Sequence, residues 1–192
     1  MPRIETETLA QHRDWRRSQL IDAAAGIALE SGGAAVTVAA VAQRAGLSRT
    51  SVYEYFGSSA ELVADLVIDE LQSFAQTLQS AVADCTDATC VVRCWIQGAL
   101  TYIADGRHLL AKALNATAMP ASRSQKIAMA HRELMAPLMS AVKELGVEDT
   151  QRALLFIQAV TDVSTKRIES GHDAESEIAY AITFCINGLI IN

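Results

Sequence analysis

The nine residues from Ser48 to Phe56, Ser-Arg-Thr-Ser-Val-Tyr-Glu-Tyr-Phe, carry more hydrogen-bonding side chains than apolar ones. An arginine can donate two parallel bonds to a guanine edge, hydroxyls adapt to a base edge or a phosphate, and a tyrosine reaches the backbone of a duplex. If the segment is helical, Val52 and Phe56 share one side, leaving Arg49, Thr50, Ser51, Tyr53 and Glu54 on the other. A helix so short and so polar adds little to a core, but its outer face fits a major groove. The chemistry on offer is recognition of nucleic acid, not bond-making.

Such a face needs elements that hold it outward, and the flanking residues provide them. Thr37 is a suitable N-cap for a short helix over Val38 to Ala45, and Val36 with Val41 occupy the two positions of a hydrophobic staple. Gly46 allows the left-handed backbone of a tight inter-helix turn. Ser48 then caps the second helix, with Leu47 and Val52 repeating the staple. Ser58 to Glu61 (Ser-Ser-Ala-Glu) forms a capping box, so a long helix to about Ala83 presents its N-terminus just after the polar one. Such N-termini attract phosphates.

The stretch Arg16 to Leu66 resembles the TetR family of bacterial transcriptional repressors. The resemblance rests on Leu20 to Ala24, Thr37-Val38, Val41-Ala42, Arg44 to Ser48, Val52-Tyr53, Tyr55-Phe56 and Glu61-Leu62. It implies a homodimer on a two-fold symmetric DNA operator, with a small-molecule effector in the C-terminal region changing the spacing of the two reading heads. It also implies base or nearby backbone contacts from Arg49, Thr50, Ser51 and Tyr53, and phosphate contacts from Thr37, Ser48 and Tyr55. Three positions depart from the family pattern, which often has a small residue at Thr50, His at Tyr55 and a phosphate-gripping Lys at Ser59. Serine keeps a hydroxyl and an amide for that phosphate but loses the charge, so affinity is expected to lean on Arg16, Arg17 and Arg44.

Other side chains offer other chemistry. Cys90 and Cys94 lie four apart on one helix with Cys85 just upstream, a spacing compatible with thiolate metal binding or a redox switch. No second Cys or His pair accompanies them, so packing is the expected role, with no metal and no cofactor. Cys185 lies in an apolar stripe with Ile178, Ile182 and Leu189. Trp95 and Tyr102 are seven residues apart, on one helix face, with Gly98 and Ala99 leaving room between them. An effector pocket is expected there, joined from other helices by Met119, His131, Met135, Met139 and Phe156, although ordinary core packing explains each residue equally well.

The whole chain of 192 residues has a net charge of −6, but residues 1–59 hold six basic and six acidic side chains, so the entire imbalance lies beyond them. The N-terminal part can approach a polyanion while the remainder avoids it. Apolar residues at three-to-four spacing, just over half the chain, and only three prolines predict an all-α fold of about nine helices. Residues 1–57 are expected to form an arm and a helix-turn-helix domain, and 58–192 a helical ligand-sensing and dimerisation domain. The expected helices are Trp15 to Glu30, Ala88 to about Asp105, Arg107 to Asn115, Ser122 to Leu145, Glu148 to Ser170 and Ala174 to about Asn187. Pro137 is expected to kink or divide the fourth of these. The first dozen residues are read as a mobile arm. The last helix is apolar almost all round, which predicts burial on more than one side and dimerisation through the last two helices. No apolar run spans a membrane and no signal peptide opens the chain, so the expected location is the cytoplasm. An enzyme finds no support, with no Gly-rich phosphate loop, nucleophile motif or paired metal ligands. A ligand-binding protein whose helix-turn-helix no longer reads DNA is disfavoured by Arg49, Tyr53 and Tyr55.

Overall fold

In the computed structural model, residues 9–114 and 120–190 are described, and Met119 lies outside them. Among the described residues the structure is α-helical. In chain order the helices are α1 (Leu9–Ser31), α2 (Val38–Ala45), α3 (Arg49–Tyr53), α4 (Ser59–Val82), α5 (Ala88–Ala104), α6 (Leu109–Leu114), α7 (Ser124–Glu144), α8 (Thr150–Glu169) and α9 (Ala174–Ile190). Two short 3-10 turns, Gly33–Ala35 and Ala121–Arg123, precede α2 and α7.

Most boundaries follow local signals. The side chains of Thr37, Asp87 and Asp149 each accept the backbone N–H three residues on, capping α2, α5 and α8. At the start of α4, Ser58 accepts the N–H of Glu61, whose own carboxylate reaches back to the N–H of Gly57. This is the expected capping box with its return bond shifted one residue upstream. Gly46 ends α2 at φ 67°, the left-handed region where a side chain would be strained.

Three elements differ from the sequence reading. Helix α1 begins at Leu9, so the last residues of the expected arm, Leu9 to His12, are helical. Helix α3 ends at Tyr53, and a turn over Glu54 and Tyr55 brings Phe56 back to the core, so the helix is shorter than the polar segment Ser48 to Phe56. Helix α7 runs undivided through Pro137, so of the expected kink or division the division does not occur. Proline there removes a single N–H, and burial of Leu134, Leu138, Ala141 and Val142 holds the helix together around it.

The chain packs as two compact units. The first comprises the described residues up to Asp69 together with those between Leu110 and Gln125. Its core joins Leu20, Ala24, Val41, Val52 and Phe56 to Leu62, Val63 and Leu66 of α4 and Leu114 of α6. Thus the helix-turn-helix needs apolar side chains from well beyond residue 57. The second unit comprises Glu70–Leu109 and the described residues from Lys126 onward. Its core is built from α5, α7, α8, α9 and the distal half of α4, around Leu78, Ile96, Leu100, Leu138 and Ile157. Gly98 of α5 faces Leu78 and Ala81 of α4, and a Cβ on it would come within 3.1 Å of Ala81 Cβ. The room expected beside Gly98 is therefore filled by the neighbouring helix.

Candidate nucleic-acid interface

Helix α3 has only five residues, too short to persist alone in water. Its stability comes from its inner side. Val52 and, just after the helix, Phe56 are fully buried. Burial of side chains this size contributes roughly 1.5–3 kcal/mol each. The outer side is open: Arg49, Thr50 and Tyr53 are exposed, Tyr53 by 56 %. Among the described residues none of these three side chains has a hydrogen-bond or ion-pair partner. An arginine, a threonine and a tyrosine are thereby presented on a firmly anchored helix, with donors free to meet an acceptor edge.

The surrounding polar groups are more engaged. The Ser48 hydroxyl accepts the N–H of Ser51 at 3.1 Å and lies 3.0 Å from the Ser51 hydroxyl. Half-buried Ser51 is therefore less available to bases than its exposed neighbours. Thr37 caps α2 through a 3.1 Å bond from the Ala40 N–H and is exposed. Tyr55 is half-buried, with the Arg13 guanidinium 6.0 Å from its ring centre. The Ser59 hydroxyl accepts the Val38 N–H at 3.0 Å, so it closes the start of α2 instead of standing ready for a phosphate.

Two of the three arginines expected to replace the missing lysine charge, Arg44 and Arg17, are paired within the unit. Arg44 donates both ends of its guanidinium to Glu30, each at 2.7 Å. That bond holds the Glu30 carboxyl below the usual range and raises Arg44 above its own. The guanidinium lies over Gly26, where a Cβ would meet Arg44 Nη2 at 2.6 Å. Arg17 bridges Asp65 at 3.3 Å and Asp69 at 3.4 Å, and Arg123 also bonds Asp65, at 2.6 Å. Long-range pairs of this kind leave no trace in local sequence pattern.

Residues 20–66 match the model of the family described as bacterial regulatory proteins, tetR family. The head is a TetR-family helix-turn-helix. The match covers the helix-turn-helix and the start of α4, not the second unit. No curated protein matches the chain in sequence. Among solved structures, it is similar to the transcriptional regulator FadR from Bacillus subtilis in complex with stearoyl-CoA, at TM-score 0.72 and 20 % identity, over 89 % of this chain and 98 % of that one. It is also similar to a TetR-like transcriptional regulator from Rhodococcus sp. RHA1, at TM-score 0.70 and 19 % identity, over 92 % and 97 % of the two chains. A TetR family transcription regulator from Marinobacter aquaeolei VT8 gives TM-score 0.71 and 16 % identity, over 93 % and 97 %. At these identities the likeness is one of fold, and it extends the TetR-type architecture across the second unit.

In that second unit the expected effector residues differ in burial. Trp95 is buried and donates its indole N–H to the Leu134 carbonyl at 3.2 Å. Tyr102 is buried too, with its hydroxyl donating to Glu70, its ring 4.4 Å from that of Phe74, and the Arg107 guanidinium 4.3 Å from its centre. Burial and the bond to Glu70 raise the Tyr102 pKa strongly. Met135 is half-buried against the same core as Trp95. His131 and Met139 are exposed, and Phe156 is exposed by 65 %. Helical spacing identified a face for each residue but not the neighbour that face would meet: Trp95 and Tyr102 are buried, whereas His131 and Phe156 are exposed.

Phe156 belongs to a different surface. With Leu155 and Val163 of α8 and Tyr180 and Phe184 of α9 it forms a set of large apolar side chains, each more than half exposed. Between α8 and α9 runs an open groove of about 1080 Å³ that Phe156, Val163, Tyr180 and Phe184 help to line. The other side of α9, with Ala181, Ile182, Cys185 and Leu189, is buried. Within one chain, then, α9 covers only half of its apolar circumference.

Proposed function

We propose that this protein is a ligand-responsive repressor that acts in the cytoplasm as a homodimer on a palindromic operator. The observation that carries the reading is the outer side of α3, where Arg49, Thr50 and Tyr53 stand exposed and, among the described residues, unpartnered on a helix pinned by Val52 and Phe56. Arg49 would read a guanine, with Thr50 and Tyr53 at neighbouring bases or sugars. Thr37, Ser48 and Tyr55 would touch phosphates, and Ser51 and Ser59 would act mainly by fixing the backbone. Arg44 would reach DNA only by leaving Glu30.

The apolar side chains on α8 and α9 support the dimer, because monomeric proteins rarely leave so many large apolar groups together in water. A two-fold interface there would make a four-helix contact and require an operator of matching symmetry. The acyl-CoA bound to the Bacillus subtilis regulator supports a small-molecule effector for this fold. Such an effector would act through unequal affinity for two spacings of the heads.

Selection of bound sequences from a random duplex pool tests the proposal. The expected product is a palindrome whose half-sites lie about one duplex turn, roughly 34–36 Å, apart. Failure to enrich any sequence would overturn it.

A further inference from the structure

Three cysteines in the second unit meet although the sequence separates them. Helix α4 ends at Val82, and the chain turns through bonds from the Ala83 N–H to the Ser80 carbonyl and from the Cys85 N–H to the Val82 carbonyl. Asp87 then caps α5 by accepting the Cys90 N–H at 2.7 Å. The turn returns Cys85 to the first two turns of α5, where Cys90 and Cys94 are stacked. The three sulfurs all lie within 4.8 Å of one another, and Cys90 Sγ and Cys94 Sγ are 3.9 Å apart. All three residues are half-buried, so the cluster is neither sealed in the core nor spread over the surface.

We propose that Cys85, Cys90 and Cys94 form a three-thiolate site for a single soft, thiophilic cation of the Zn(II), Cd(II) or Cu(I) class. Sulfur bonds of about 2.3 Å place the sulfurs around one tetrahedral zinc roughly 3.8 Å apart. The Cys90–Cys94 separation already meets that spacing, and closing the rest of the triangle takes at most about 1 Å of side-chain rotation. As each metal–sulfur bond forms, the thiol proton passes to water. Three sulfurs select soft cations over magnesium or calcium. The Asp87 carboxylate is engaged in capping α5, so the fourth position of a tetrahedral ion falls to water.

Redox switching is the competing use of such a cluster, and a stoichiometric cation held by the reduced thiols separates the two. Sensor cysteines are low-pKa thiolates. Proton displacement by a metal does not require a reactive thiolate beforehand. The site is independent of the DNA-reading proposal and stands or falls separately.

The test is titration of the full-length, reduced protein with Cd(II), read by the sulfur-to-cadmium ultraviolet band and by native mass spectrometry. One equivalent per chain is expected, with Cd(II) displacing Zn(II) from the preloaded protein. Cys85→Ala, Cys90→Ala and Cys94→Ala should each weaken binding at least tenfold, whereas Cys185→Ala should leave it unchanged. Far-ultraviolet circular dichroism checks that each variant remains helical, and the half-buried positions predict that they do. No stoichiometric Cd(II) binding by the reduced wild-type chain, or equal binding by the triple alanine variant, would overturn the proposal.

Discussion

The Ser59 hydroxyl, at the start of α4, accepts the backbone N–H of Val38, at the start of α2, over 3.0 Å. Thr37 serves the Ala40 N–H of the same turn, so two side chains from different parts of the chain close one helix end. The bond fixes where α4 begins relative to the helix-turn-helix. Ser59→Ala leaves a partly buried N–H without an acceptor. The expected cost is about 1 kcal/mol, as for loss of an N-cap. Urea unfolding should show a lower midpoint with an unchanged slope, and an unchanged midpoint would mean that water replaces the hydroxyl.

Arg49 is the strongest candidate for base reading, because it is exposed, unpaired among the described residues and mounted on a helix anchored by Val52. Arg49→Ala is expected to weaken operator binding by about 1–3 kcal/mol per contacted guanine and to leave binding to random duplex mostly unchanged. Gel shifts on both duplexes measure the difference. Equal losses would assign Arg49 to phosphates instead.

The head was legible from sequence because its devices are local. Thr37, Gly46, Ser48 and the Ser58–Glu61 box each act within three or four residues, and that is the range over which residue type determines backbone geometry. The pairs Arg44–Glu30, Arg17–Asp65 and Ser59–Val38 join residues 14 to 48 apart, and only packing decides them. The second unit was legible as helices but not as a site. Periodicity placed Trp95, Tyr102 and Phe156 on helix faces, yet could not say that Trp95 meets Leu134 while Phe156 meets solvent. The three cysteines were visible as a spacing, but their meeting was not, because Cys85 joins the other two only through a turn that reverses the chain between Val82 and Asp87.

Tyr102 supplies a test at alkaline pH. Its hydroxyl donates to Glu70, and burial followed by that carboxylate raises its pKa above the ordinary 10.0. A folded pKa above the unfolded one gives stability that is complete below pH 10 and is lost as pH climbs from there. Tyr102→Phe is expected to cost about 1–2 kcal/mol at pH 7, through loss of a bond to a charged acceptor. The gap between wild type and variant should narrow steadily above pH 10, measured by urea unfolding across pH 7 to 11. A gap that stays constant would show that the hydroxyl ionises equally in both states.

The apolar surface of α8 and α9 predicts the assembly state. Phe156 is 65 % exposed and Phe184 59 % exposed, so neither supports the fold of its own chain strongly. Replacing either by aspartate should leave the helix content and unfolding midpoint of the protomer little changed. Across a two-fold interface the same substitution would bury two carboxylates against apolar partners, at several kcal/mol for each unpaired charge. Sedimentation velocity is expected to show a dimer for wild type and a monomer for Phe156→Asp or Phe184→Asp. The monomer should also lose affinity for a palindrome far more than for a single half-site, because one head then binds without its tethered twin. A variant that remains dimeric would place the interface elsewhere on the chain. Monomeric wild type would remove the reason for a symmetric operator altogether.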